Sequence, residues 1–126
     1  MCDVKFFICN LCGNIVEMIN SSGVPIVCCG EEMGELIPGT VDASLEKHVP
    51  VVTVDGDTVT VVVGSAIHPM VPEHYIEWIY LQTESGIQRK CLKPGEEPKA
   101  VFKLDGEKAV SAYEYCNLHG LWKADI

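Results

Sequence analysis

Four cysteines near the amino terminus, in Cys9-Asn10-Leu11-Cys12-Gly13 and Cys28-Cys29-Gly30, limit what this chain can fold into more than any other feature. A C-x-x-C pair turns two sulfurs toward one point, and Gly13 accepts the dihedral that such a knuckle needs. Phe6-Phe7-Ile8 reads as a strand leading in, Ile15 to Ile19 as the return strand, and Asn20-Ser21-Ser22-Gly23 as a turn. Ile26-Val27 then reads as a strand entering the second pair. Because Cys28 and Cys29 are adjacent, and neighbouring side chains of an extended segment diverge, the expected tetrahedron is distorted. A segment this short cannot bury a sufficient core, so a metal ion is the expected staple. The spacing leaves zinc and iron both open.

Metal is favoured over disulfides by the expected compartment. Met1-Cys2-Asp3-Val4-Lys5 has no signal-peptide pattern, and no apolar run approaches the ~18 residues of a membrane span, which gives a cytoplasmic expectation. Thiols stay reduced there. Cys2 and Cys91 lie outside any cluster and read as a free terminal thiol and a strand thiol that packs as a small apolar residue. Eighteen acidic against nine basic residues, a net charge of -9, argue against nucleic acid or an anionic membrane as partner. An acidic surface suits a soluble redox partner or plain solubility instead.

Pro38-Gly39-Thr40 interrupts the pattern, and with Val41 to Leu45 it reads as a linker, giving domains over 1–37 and 46–126 joined by 38–45. Apolar content of 48% is enough for one substantial core. Beyond the linker, β-branched runs recur over Val49–Val54, Thr58–Val63, Tyr75–Gln82, Ile87–Leu92, Ala100–Leu104 and Lys108–Cys116. The turn signals Asp55-Gly56, Ser85-Gly86, Pro94-Gly95 and Asp105-Gly106 separate them. This spacing predicts an all-β sandwich or barrel without a long helix. Tyr75 to Leu81 is apolar on both faces and is expected to be central.

The same half holds all four histidines, His48, His68, His74 and His119, each beside a strand boundary. Cys116 lies three residues before His119, so a thiol and an imidazole can meet across a tight turn that Gly120 lets the backbone leave. Tyr113, Tyr115 and Trp122 are expected to wall it. Loops at one end of a sandwich can bring such residues together from distant sequence. Four imidazoles and one thiolate form a borderline-soft donor set suited to iron, copper or zinc, and five ligands leave an octahedral ion one open position.

Taken in order, Glu46-Lys47-His48-Val49-Pro50, His68-Pro69-Met70, Glu73-His74-Tyr75-Ile76-Glu77-Trp78 and Cys116-Asn117-Leu118-His119-Gly120 closely resemble desulfoferrodoxin, the two-iron class of superoxide reductase. Cys9, Cys12, Cys28 and Cys29 match that family's desulforedoxin-like amino-terminal domain, so the resemblance covers nearly the whole chain. It implies a mainly β protein in which a small rubredoxin-like metal knuckle precedes an immunoglobulin-like sandwich. His48, His68, His74 and His119 would bind a catalytic iron equatorially with Cys116 axial, and the four amino-terminal cysteines would bind a second iron.

The implied reaction is one-electron reduction of superoxide to hydrogen peroxide, with rubredoxin or a similar donor restoring the iron and a homodimer as the working form. The resemblance also gives roles to Glu46, as a later ligand to the oxidised iron. Lys47 is expected to be a local cation for an anionic substrate facing an acidic protein. Backbone amides of Asn117 to His119 are expected to donate toward the Cys116 sulfur. Two rivals fit less well. A cupredoxin-like carrier requires a methionine after Cys116, and none follows. A zinc-stapled binding module leaves the histidines unexplained.

Overall fold

Strand alternation between buried and exposed residues, with a period of two, organises most of this chain. In the computed structural model, which describes residues 1–126, it divides into two compact units, Cys2–Ile37 and Pro38–Ile126.

In the first unit, β1 (Phe6–Ile8) pairs with β2 (Ile15–Glu17) and β5 (Gly34–Leu36), and a two-residue ladder joins β3 (Val27–Cys28) to β4 (Glu31–Glu32). Its apolar interior is small, with Phe6, Cys9 and Met33 as its buried members. β4 and β5 escape the sequence reading because Glu31-Glu32 and Gly34-Glu35-Leu36 carry neither β-branched residues nor apolar alternation.

The second unit begins with α1 (Leu45–His48), a single helical turn where the sequence suggests a linker running into a loop. Strands β6 (Pro50–Asp55), β7 (Thr58–Val63), β8 (Ile76–Thr83), β9 (Ile87–Cys91), β10 (Lys99–Lys103), β11 (Ala109–Cys116) and β12 (Gly120–Asp125) follow. They form sheets ordered β10-β7-β6 and β12-β11-β8-β9, with antiparallel pairs throughout. This is the expected mainly β sandwich. β8 is an interior strand, as its two-sided apolar character requires. β12 is the strand missed by sequence, since Gly120, Lys123 and Asp125 dilute its pattern.

Val59, Val61 and Val63 of β7 and Ala100 and Phe102 of β10 form a core with Ile76, Ile79 and Leu81 of β8 and Ala112 and Cys116 of β11. Tyr115 lies opposite Trp78 but Cys116 lies opposite Ile76, so β8 carries one extra residue, Glu77, at a bulge. That residue lets Ile76 and Ile79 both face inward. Tyr113 and Tyr115 have the opposite parity from Cys116 and pack instead with Tyr80 and Trp78. They therefore do not wall the thiol as expected from sequence. Cys91, at the end of β9, is exposed and does not serve as a core residue.

Candidate metal centres

In the first unit, the turn after β1 directs the amide of Cys12 at Cys9 Sγ at 3.5 Å, as the knuckle spacing suggests. The amides of Cys12 and Leu11 pull the Cys9 thiol down to about 6. Cys29 has a φ of 53°, and Cys28 Sγ and Cys29 Sγ lie 4.0 Å apart. Adjacent side chains thus converge where sequence suggests divergence, because Cys29 leaves extended geometry for the left-handed region. Cys12 Sγ is 3.7 Å from Cys28 Sγ, and all four sulfurs lie within 4.8 Å of one another. Four thiolates around one ion at a metal–sulfur distance of about 2.3 Å have sulfurs about 3.8 Å apart, so this cluster fits a tetrahedral ion. Hydrogen bonding among the crowded thiols pushes Cys29 up to about 12, a penalty that a cation at their centre relieves.

At one end of the sandwich, a second cluster joins loops from both sheets. His48 ends α1 just before β6, and His68 lies in the loop after β7. His74 precedes β8, and Cys116 and His119 flank the β11–β12 turn. Pairing of Pro50 with Val63, and of Cys116 with both Ile76 and Gly120, places these strand ends together. Gly120 makes the turn possible with a φ of 78°.

His48 Nε2 lies 3.2 Å from His68 Nε2 and 3.1 Å from His119 Nδ1. Cys116 Sγ, fully buried, is 3.5 Å from His68 Nε2 and 3.8 Å from His119 Nδ1. Donor atoms of His48, His68, His74 and Cys116 all lie within 4.8 Å of one another, and His74 Nε2 is buried with no hydrogen-bond partner. An unsatisfied ring nitrogen among close neighbours is costly unless it has a metal to bind. Neutral nitrogen donors around one buried sulfur fit a borderline-soft ion such as iron.

Packing around the cluster favours the neutral form of His48, His68 and His74 and orients the first two. His48 Nδ1–H donates to Ser44 O and His68 Nδ1–H to Pro69 O, each at 2.7 Å, which leaves both Nε2 lone pairs facing the cluster. Burial pushes His68 down to about 4 and also lowers His48 and His74. Trp122 stacks on His48 with ring centroids 5.1 Å apart, and its Nε1–H donates to His119 O at 3.0 Å. Of the three aromatics expected as walls, Trp122 alone touches a ring of the cluster.

Burial pushes the Cys116 thiol up, while the amides of Leu118 and His119 pull it down. Two of the three amides expected at the sulfur are therefore there. The third, Asn117 N–H, donates to Tyr75 O. Lys47 and Glu46 are exposed on α1, and the Lys47 charge helps depress both His48 and His74.

Sequence reasoning finds no role for Glu114, yet its side chain is fully buried and both carboxylate oxygens lack partners. Alternation from Ala112 to Cys116 could have flagged it as inward-facing. Burial pushes the carboxyl from its ordinary 4.5 to about 9. A raised folded-state pKa contributes stability that is fully present below about pH 4.5 and is lost as pH rises through about 9. Glu114→Gln should remove this dependence, so its stability relative to the parent chain should rise by about 1.4 kcal/mol per pH unit across that window. Urea midpoints at pH 5 and pH 8 would measure it; parallel profiles for both proteins would refute the neutral, buried assignment.

A family model described as desulfoferrodoxin matches residues 40–125, and one described as desulfoferrodoxin, N-terminal domain, matches residues 3–36. The chain is 47% identical over 121 residues to desulfoferrodoxin from Nitratidesulfovibrio vulgaris, covering 96% of this chain and 95% of that one. It is 40% identical over 99 residues to superoxide reductase from Pyrococcus abyssi, covering 64% of this chain and 86% of that one. The crystal structure of superoxide reductase from Treponema pallidum superimposes with a TM-score of 0.82 at 43% identity, covering 98% of this chain and 99% of that one. The two clusters match the desulfoferrodoxin two-iron pattern.

Proposed function

This chain belongs to the desulfoferrodoxin family and is a superoxide reductase, and from that premise we propose how its own residues divide the work. His48, His68, His74, His119 and Cys116 hold the catalytic iron, Cys9, Cys12, Cys28 and Cys29 hold the second, and Glu46 and Lys47 attend the mouth of the catalytic site. The observation carrying this reading is one buried sulfur, Cys116 Sγ, within 3.8 Å of ring nitrogens from both His68 and His119.

Superoxide takes up one electron and two protons and leaves as hydrogen peroxide. Ferrous iron, when held by these residues, would supply the electron and a place for the anion to bind. Cys116 contributes electron density as a thiolate, and the Leu118 and His119 amides temper that donation. Ser44 and Pro69 carbonyls hold His48 and His68 in the tautomer that leaves Nε2 free. Stoichiometry tests the reaction class: one peroxide per superoxide with no dioxygen is expected, whereas dismutation would yield dioxygen and half as much peroxide.

Lys47 draws the anion in against the protein's overall negative charge, a reading supported by its exposure and by its electrostatic effect on His48 and His74. Lys47→Ala should slow superoxide association on the order of tenfold and flatten its salt dependence. Rapid-mixing or pulse-radiolysis rates at several ionic strengths would show it, and an unchanged second-order rate would remove Lys47 from this role. Glu46, the other neighbour of His48, would offer a hard carboxylate to the oxidised iron.

Reductant comes from rubredoxin or a similar small donor, and the protein works as a cytoplasmic homodimer. None of the seven cysteines forms a disulfide, which supports a reducing compartment. Exposed Ile19, Val24 and Val27 on the small unit support self-association, which sedimentation would test. No helix is long and apolar enough to cross a membrane.

A further inference from the structure

Resting on the reading of His74 as a ligand, we propose that the Asn117 side chain is the positioning residue that sets His74 in place for the metal. The other imidazoles are held differently. His48 and His68 are anchored through their own ring nitrogens, each to a carbonyl 2.7 Å away, and the carbonyl of His119 accepts Trp122 Nε1–H. His74 Nε2 has no hydrogen-bond partner, so beyond its packing against the rings of His48, His68 and His119 the position of this ring follows from how its backbone is gripped.

Two grips hold that backbone. His74 exchanges both main-chain hydrogen bonds with Val71, at 3.0 and 3.1 Å. In addition, Asn117 Oδ1 accepts Tyr75 N–H at 2.9 Å and Asn117 Nδ2 donates to Glu73 O at 3.0 Å. Asn117 N–H also donates to Tyr75 O at 3.2 Å. One amide therefore clamps both residues that flank His74, and only one amide orientation satisfies both partners. Asp offers no donor, Ala offers neither group, and Ser has a single oxygen on a shorter arm.

Asn117 directly follows Cys116, so the clamp also ties the loop bearing His74 to the loop bearing the thiol. Separation of His74 from Cys116 then depends on this side chain together with the main-chain bond from Asn117 N–H to Tyr75 O and the pairing of Cys116 with Ile76. Outer residues of this kind typically change metal affinity by about 10–100-fold.

The test compares Asn117→Ala, Asn117→Asp, His74→Ala and the Asn117→Ala/His74→Ala double variant in the full chain. Release of catalytic iron to a chelator is followed at the thiolate-to-iron absorption band, with the four-cysteine iron as an internal reference. Asn117→Ala should speed release about 10–100-fold. Asn117→Asp, which keeps the acceptor for Tyr75 N–H but loses the donor for Glu73 O, should fall between it and the parent chain. In the His74→Ala background, Asn117→Ala should add less than about twofold, because both changes remove the same contact.

Independent, multiplicative effects would overturn the clamp, since a general packing defect does not depend on His74. So would unchanged release in Asn117→Ala when His74→Ala accelerates it, an outcome that leaves the ligand reading standing. Unchanged release and band in His74→Ala would instead overturn the ligand reading itself. Should Asn117→Ala fail to fold, Asn117→Asp alone and in the His74→Ala background carries the same comparison.

Discussion

Cys116→Ser is expected to abolish superoxide reduction, with a loss exceeding the ~100-fold that removal of an outer-shell partner costs at a metal site. Cys116 is fully buried at the end of β11, and its sulfur is the soft donor among the ring nitrogens. Serine keeps nearly the same volume, so the core contributed by Ile76, Val63 and Ala112 should survive and the change should be chemical. An alcohol oxygen is a harder, weaker donor and does not ionise at neutral pH as a metal-bound thiol does. The thiolate-to-iron band of the catalytic site should disappear while the absorption of the four-cysteine iron persists. Full turnover by this variant would remove Cys116 from the mechanism.

Gly64→Ala should cost about 1–3 kcal/mol of stability, as overpacking does, and also empty the catalytic site. A Cβ at this position would lie 2.5 Å from Glu46 O, 3.0 Å from the Lys47 carbonyl carbon and 3.1 Å from Val49 O. All three are backbone atoms, so no side chain can swing aside. The segment they belong to carries His48, while Gly64 itself opens the loop that carries His68. Ala66 N–H and Ser65 Oγ further bind that loop to Glu46 O. A methyl group must separate the two loops, and with them the His48 and His68 nitrogens now 3.2 Å apart. Iron content should fall from two toward one per chain, with a lower melting temperature for the catalytic unit. Two irons and an unchanged melting temperature would show that the loops can shift without consequence.

How far the site could be read from sequence differs residue by residue. Cys9, Cys12, Cys28 and Cys29 announce a metal knuckle because thiols at such spacing have few other uses in a reducing compartment. Their expected divergence at Cys28-Cys29 failed because a positive φ at a non-glycine residue leaves no mark in composition. His48, His68 and His74 carry no signal singly; they stand out together, as histidines beside strand boundaries in a chain that also offers Cys116 and His119, and through the family's motifs. Gly64 carries no motif signal at all, because its constraint comes from the backbone of Glu46, Lys47 and Val49, fifteen to eighteen residues earlier. Glu114 was visible as an inward position on an alternating strand but not as an unpartnered one, since partners are supplied by other strands.

The sequence alone determined the chemical inventory and most of the strands of the larger unit. It placed four cysteines near the start, β-branched runs at sandwich spacing, and a thiol three residues before a histidine. These are local matters of residue type, period and turn chemistry. Tertiary structure decided what those residues became. It bulged β8 at Glu77 and turned one short helix so that His48 faces His68. It also left His74 Nε2 without a partner and passed the grip on its loop to Asn117, forty-three residues away. Distances between loops depend on packing across two sheets, and no periodicity along a chain records them.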